Sequence, residues 1–152
     1  VVEAGQPAPD FTLTSDGGER VTLSELRGQP VVLYFYPKDD TPGCTTQAQG
    51  LRDSYGELGQ TGAVVLGVSP DSEASHVKFR EKYGLPFTLL ADPDHEVAEQ
   101  YGVWGEKKYM GRTYVGVLRT TFVIDEAGMV TRVLRDVKPA SHAEDVLAVL
   151  RG

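Results

Sequence analysis

A single cysteine, Cys44, is all the chain contains, and that scarcity excludes a good deal. Neither a disulfide-stapled scaffold nor a two-thiol redox pair can be assembled from this chain alone. If Cys44 is oxidised, its repair has to come from outside. A basic excess is missing as well: 22 acidic against 15 basic side chains leave a formal net charge of −7. That balance argues against nucleic acid or an anionic membrane as the main partner, since both need a basic footprint. No apolar run approaches the roughly 18 residues of a membrane span, and no signal-like pattern opens the numbering. His76, His95 and His142 stand far apart in sequence, without metal-ligand spacing, so each is read as a surface histidine. Asp92-Pro-Asp-His-Glu96 has the start of a calcium loop but lacks its glycine and twelve-residue spacing, and reads as a turn and helix cap. Repeats, low-complexity tracts and linkers are absent too. These absences set the expectation of one domain over residues 1–152, in a reducing compartment (the cytoplasm), with no metal site.

What is present reads as alternating strands and helices. After an extended approach through Pro7 and Pro9, residues 11–14 and 20–22 flank the turn Ser15-Asp-Gly-Gly18 and predict a short hairpin. Residues 31–36, Val-Val-Leu-Tyr-Phe-Tyr, have the continuous apolar character of a central buried strand. A loop carrying Cys44 follows, then a helix expected over residues 45–55. Residues 63–68 predict the next strand. Ser69-Pro-Asp71 opens a helix with Val77 and Phe79 buried and Gly84 as its stop. A strand over 87–91 and a short helix over 96–101 come next. Residues 121–124 and 129–134 then form a hairpin bent at Gly128, and Ser141-His-Ala-Glu144 supplies a capping box for a last helix to Leu150. The pattern predicts an α/β fold, a mixed β-sheet flanked by helices on both faces.

The chemistry concentrates around Cys44. Thr41 can cap the helix, Pro42 suits its first turn, and Gly43 admits a close approach of backbone. Free amides and the positive end of the helix dipole then favour a thiolate, the nucleophilic form of cysteine. A helix end contributes only about 0.3–1 kcal/mol, too little by itself, so a fixed cation is needed nearby. Arg119, just before the apolar run 120–124, is the candidate. Its alternative reading is an edge-strand arginine paired with a surface carboxylate. Cys44 likewise has a plain reading as a small buried hydrophobe, but its neighbours Thr, Pro, Gly, Thr and Thr are not core residues. Asp39 and Asp40 would oppose a thiolate if they faced it, so both are expected to point to solvent. Trp104, Tyr109 and Tyr114 fall in an irregular-looking stretch before Arg119. They are candidates for a pocket mouth, a dimer surface or simple packing.

Pro37, Thr41 and Cys44 match the Pro-x-x-x-Thr-x-x-Cys signature, and here the chain resembles the peroxiredoxins. The run Tyr36-Pro-Lys-Asp-Asp-Thr-Pro-Gly-Cys-Thr45, with Tyr101-Gly-Val-Trp-Gly-Glu-Lys-Lys108 and Arg119-Thr-Thr-Phe-Val-Ile-Asp125, is similar to the bacterioferritin-comigratory (Q-type) branch. The resemblance spans essentially the whole chain. It implies a thioredoxin-like fold and reduction of hydrogen peroxide and organic hydroperoxides. By the same resemblance Cys44 is the peroxidatic nucleophile. The Thr41 hydroxyl bonds the thiolate and peroxide, Arg119 polarises both, Pro37 shields the pocket, and the amides of Gly43 and Cys44 hold peroxide oxygens. The branch also leans towards monomers, which is the expectation here.

The chain departs from that branch in its missing second thiol. Many members carry a resolving cysteine five residues after the peroxidatic one, where this chain has Gln49. Others place it on the next helix, in a segment resembling Lys78-Phe-Arg-Glu81, which has none either. The expectation is a one-cysteine cycle: Cys44 becomes a sulfenic acid, and an external thiol (thioredoxin, a glutaredoxin or a small thiol) resolves it. Two other functions compete. A disulfide reductase needs two thiols close together; a redox sensor would bind a partner only when oxidised and turn over little.

Overall fold

The computed structural model describes residues 1–152. Nine strands are formed: β1 (Thr12–Ser15), β2 (Arg20–Thr22), β3 (Val31–Phe35), β4 (Val64–Ser69), β5 (Thr88–Ala91), β6 (Trp104–Tyr109), β7 (Arg112–Val117), β8 (Thr120–Ile124) and β9 (Val130–Leu134). Five α-helices join them: α1 (Pro42–Asp53), α2 (Tyr55–Gln60), α3 (Glu73–Tyr83), α4 (Glu96–Gln100) and α5 (His142–Arg151). Seven strands make one sheet in the order β2-β1-β5-β4-β3-β8-β9, while β6 and β7 form a separate hairpin. The β3–β4 and β4–β5 pairs are parallel, and β8 lies antiparallel to β3 with Tyr34 opposite Thr121 and Phe35 opposite Thr120. This is the mixed, doubly covered sheet the sequence predicts.

The alternation of β3 divides the interior. Val31, Leu33 and Phe35 face a core shared with Phe122, Ile124, Val97 and Tyr101. Val32, Tyr34 and Tyr36 face the opposite core, roofed by Ala48 and Leu51 of α1, Leu58 of α2, Phe79 of α3 and Val146 of α5. All five residues of β3 are buried, each contributing about 1.5–3 kcal/mol of transfer free energy where the side chain is large. Cys44 belongs to the second core, beneath the helical layer.

Several boundaries differ from expectation for local reasons. The helix expected from residue 45 starts at Pro42, because proline's fixed φ and missing N–H suit a first helical position; Cys44 therefore lies inside the first turn. Beyond Ser54 the chain re-enters a helix, α2, which its two glycines concealed. Ser72 caps α3 by accepting from the Ser75 amide at 3.1 Å, so this helix opens later than Ser69-Pro-Asp71 suggested. Gly84 ends it in the left-handed region, as a glycine stop should. Phe79 of α3 is buried, but His76, not Val77, takes the other fully covered position. The capping box is not made: the Ser141 hydroxyl turns to Asp145 Oδ2 at 3.2 Å instead. The stretch before Arg119, irregular by its mixed polarity, is the β6–β7 hairpin. Met110 and Gly111 at its tip both have positive φ, 50° and 78°, the two-residue turn that matches strand twist.

Candidate active site

Sheet strand β3 delivers the chain at Tyr36 to a short loop, and α1 starts five residues beyond Pro37. Cys44 is the third residue of that helix and only 2 % exposed. Thr41 holds the N-cap position, but its hydroxyl donates to the Lys38 carbonyl at 2.8 Å and makes no side-chain cap. The sequence-based cap is thus corrected: Thr41 closes the loop on itself and leaves the first-turn amides uncapped. In this arrangement the Thr41 hydroxyl makes no bond to the sulfur.

Arg119 immediately precedes β8, and the β3–β8 register carries it across to the helix mouth. Its Nη2 points to Cys44 Sγ at 3.5 Å, while Nη1 donates to Gln47 Oε1 at 2.6 Å. The guanidinium therefore faces the thiol, and no surface carboxylate pairs with it. A Cβ added to Gly43 would lie 3.2 Å from Arg119 Nη2 and 3.6 Å from Pro139 Cγ. Glycine there leaves the space that the arginine occupies.

Gln47 sits three residues after Cys44, on the same face of α1, and is wholly buried. With its Oε1 accepting from arginine, its Nε2 donates to His142 Nδ1 at 3.1 Å. His142 Nδ1 is therefore an acceptor, and the ring's proton is on Nε2, which donates to Thr121 Oγ1 at 2.7 Å. A neutral imidazole fits its setting. Burial, opposed by Asp145 and reinforced by Arg119, pushes the His142 pKa down to about 4.

A cleft of about 680 Å³ opens above this group, with Pro37, Thr41, Trp104, Lys107, Tyr114 and Arg119 among its walls. The β6–β7 hairpin supplies one side of it, so Trp104, Tyr109 and Tyr114 line the mouth. Lys107 Nζ donates to the Val117 carbonyl at 2.8 Å. Partial burial and then the neighbouring Arg119 lower its pKa, against the pull of Cys44. Lys107 and Arg119 thus both line the cleft, and Arg119 reaches from it to the buried thiol.

The other flank of the loop is held differently. Asp39, expected in solvent, is buried; its Oδ1 accepts from Tyr36 at 2.6 Å and its Oδ2 from Ser75 at 2.8 Å and His76 Nδ1 at 2.7 Å. His76 Nε2 donates to the Leu90 carbonyl at 3.0 Å. Nδ1 faces the Asp39 carboxylate and Nε2 a carbonyl, an arrangement that favours the protonated ring. Burial alone would lower its pKa, but the hydrogen bond and charge of Asp39 raise it above the ordinary histidine value. His76 thus gives the buried Asp39 carboxylate a partner at 2.7 Å. Asp40 does reach solvent, where it meets Lys82 at 2.8 Å.

Asp39, Asp71 and His76 are the one trio of ligand-type side chains whose donor atoms cluster, all within 4.8 Å of one another. Their atoms are already engaged: Asp71 Oδ2 accepts from the Asp39 amide at 2.8 Å and from Ser69 at 2.6 Å. This is a hydrogen-bonded anchor for the loop rather than an open metal centre.

Of the residues singled out from sequence, Pro37, Thr41, Gly43, Cys44 and Arg119 come together, and Gln49 is half-buried on α1 outside the network. Gln47, Lys107 and the two buried histidines were missed. The i, i+3 spacing from Cys44 was a signal for Gln47; His76 and His142 gave none, because a histidine partner distant in sequence leaves no local mark.

The profile of the AhpC/TSA family matches residues 4–133. Peroxiredoxin Bcp of Bacillus subtilis is 49 % identical over 150 residues, covering 99 % of this chain and 96 % of that protein. Among solved structures, Xanthomonas campestris peroxiredoxin Q superposes with a TM-score of 0.91 at 39 % identity, covering 99 % of this chain and 98 % of that one. The bacterioferritin comigratory protein of the same organism, solved with a trapped intermediate and ligand to explain its alkyl peroxide reduction, gives 0.91 at 38 % identity, covering 98 % of each chain.

Proposed function

The chain belongs to the AhpC/TSA family as a Bcp/Q-type peroxiredoxin, and on that premise we propose that it reduces hydrogen peroxide and organic hydroperoxides at Cys44 alone. The observation that carries this reading is the Arg119 guanidinium, 3.5 Å from the only thiol in the chain. The Cys44 thiolate attacks one peroxide oxygen, an S–O bond forms as the O–O bond breaks, and the departing alkoxide or hydroxide takes up a proton. Charge develops on that departing oxygen. Arg119 and the uncapped amides of Gly43 and Cys44 are the donors available to stabilise it. Thr41 rotates its hydroxyl from Lys38 to the peroxide, and Pro37 shields the pocket. Lining by Trp104, Tyr109 and Tyr114 suits a hydroperoxide with an apolar substituent.

The sulfenic acid has no internal thiol to meet. An external thiol, that of thioredoxin, a glutaredoxin or a small molecule, displaces water from the sulfenic sulfur and forms a mixed disulfide. A second thiol then releases Cys44 and leaves as the oxidised disulfide. Residues 1–152 act as one domain, a monomer of the cytoplasm, with no cofactor; no helix is long and apolar enough to cross a membrane.

Intact mass after one equivalent of hydrogen peroxide, with and without a sulfenic-acid trap, tests the cycle. A rapid gain of one oxygen at Cys44, captured by the trap and reversed by added thiol, is expected. Unchanged mass over minutes overturns the reading for this oxidant.

A further inference from the structure

The contacts of Arg119 do not end at the thiol. One nitrogen meets Cys44 Sγ, the other meets Gln47 Oε1, and Gln47 in turn meets His142, which meets Thr121. Four elements are joined: the residue before β8, α1, α5 and β8 itself. Gln47, His142 and Thr121 are each fully covered.

We propose that His142 is a positioning residue for peroxide reduction: its bare Nδ1 fixes the orientation of the Gln47 amide, and the amide oxygen thereby holds the Arg119 guanidinium against Cys44.

An amide offers an oxygen at one end and a donor at the other, and the two are nearly equal in shape. Turned the wrong way, Gln47 would present N–H groups to a guanidinium that has only donors of its own. Arg119 would then lose an acceptor in a covered site and drift from the sulfur. Arginine cannot set the amide alone, because Gln47 Nε2 also needs an acceptor when buried. His142 Nδ1 is that acceptor, and it remains so only in the Nε2–H tautomer. The Gln47 N–H on the near side keeps Nδ1 bare, and Thr121 Oγ1 on the far side, able to accept, takes the Nε2 proton. The groups facing His142 from the elements around it agree with a neutral ring. They are Arg119 before β8, Thr121 on β8, Tyr34 on β3 with ring centroids 5.6 Å apart, Gln47 on α1 and Asp145 on its own helix. Positive charge from Arg119 and burial both disfavour a second proton, and exposed Asp145 only partly offsets them.

This inference rests on the peroxidase reading, and its tests separate the two. The first uses the reduced parent protein: nitrogen NMR of the His142 ring, expected to show an unprotonated Nδ1 and a protonated Nε2. A proton on Nδ1 overturns the proposal whatever the activity. The second compares the second-order rate of Cys44 oxidation by hydrogen peroxide in His142→Leu and His142→Asn. Leucine removes the acceptor and is expected to slow oxidation about tenfold, as losing a hydrogen bond to a charged group does. Asparagine places an acceptor oxygen near the Nδ1 position and is expected to recover to within about threefold of the parent. The decisive arm repeats His142→Leu in an Arg119→Ala background, where the extra loss should shrink to under about twofold because the residues act as a chain. Equal losses in both backgrounds, or no loss in the parent, overturn the relay. If His142→Leu does not fold, Thr121→Val, which leaves the His142 Nε2 proton without its partner, takes its place in the same cycle. Failure of the parent itself to react with any peroxide would instead reject the activity on which the relay depends.

Discussion

Two buried histidines anchor the loop and the helix that carry Cys44, and their pKa values move in opposite directions. On the arginine side, His142 touches a donor and an acceptor, the Gln47 amide N–H and the Thr121 hydroxyl, and stays neutral. On the loop side, His76 Nδ1 meets the Asp39 carboxylate, with the Tyr36 hydroxyl at 3.4 Å, and Nε2 meets the Leu90 carbonyl, so its protonated form is favoured. Both rings are equally covered, so burial does not set them apart; the chemistry of their partners does. His76 is the partner of the buried Asp39 carboxylate. The neutral one keeps a second positive charge away from an arginine already facing the sulfur.

Breaking the charged side should produce the larger effect. His76→Leu leaves the Asp39 carboxylate buried without its counterion, which costs about 3 kcal/mol or more, measured by urea unfolding near neutral pH. A loss under about 1 kcal/mol would mean that Tyr36 and Ser75 satisfy Asp39 by themselves. The pH dependence of the same measurement should carry opposite signs for the two rings. The raised pKa of His76 makes its contribution complete below the ordinary histidine value of 6.5 and lost as pH climbs through the folded value. His142, moved from 6.5 down to about 4, contributes fully above 6.5 and loses that contribution as pH falls towards 4. The full swing is roughly 3 kcal/mol. Parent minus His142→Asn should therefore rise with pH across that acid window, and parent minus His76→Leu should fall with pH above it.

Much of this architecture was legible in the chain. Val-Val-Leu-Tyr-Phe-Tyr could be little else than a central strand, and the Pro-Lys-Asp-Asp-Thr-Pro-Gly-Cys run after it placed a thiol at a helix mouth. Arg119 stood out because a guanidinium beside an apolar strand needs a partner. The long-range pairs were invisible. His142 meets Gln47 across 95 residues and His76 meets Asp39 across 37, and neither spacing has a local periodicity to betray it. The β6–β7 hairpin was missed for another reason: most of its side chains are exposed, so no buried face imposed an alternation on the sequence.

Gly43 sharpens the arginine side with a smaller effect. An alanine Cβ would press on Arg119 Nη2 at 3.2 Å, moving the guanidinium a few tenths of an ångström from the sulfur. Peroxide oxidation of Cys44 should slow about fivefold, less than for losing an oxyanion donor outright. Stability should hold or rise, because alanine is the better helix former by up to about 1 kcal/mol. A rate unchanged from the parent would show that Arg119 has slack and that its 3.5 Å approach to Cys44 is not held tightly from the Gly43 side.

Asp39 and Asp40 give the smallest expected effect and the cleanest internal control. They are neighbours with the same side chain, yet one is buried against His76 and the other pairs with Lys82 and Tyr83 at the surface. Asp40 holds a positive φ of 55°, a conformation asparagine tolerates as well as aspartate does. Asp40→Asn therefore keeps the backbone and an acceptor for the Tyr83 hydroxyl, and removes only an ion pair that water and salt already screen. Its unfolding midpoint should match the parent at moderate ionic strength, where Asp39→Asn should fall well below it. If Asp40→Asn instead fell as far as Asp39→Asn, the loop before Cys44 would be held from its outer surface, and the buried Asp39–His76 pair would not be its anchor.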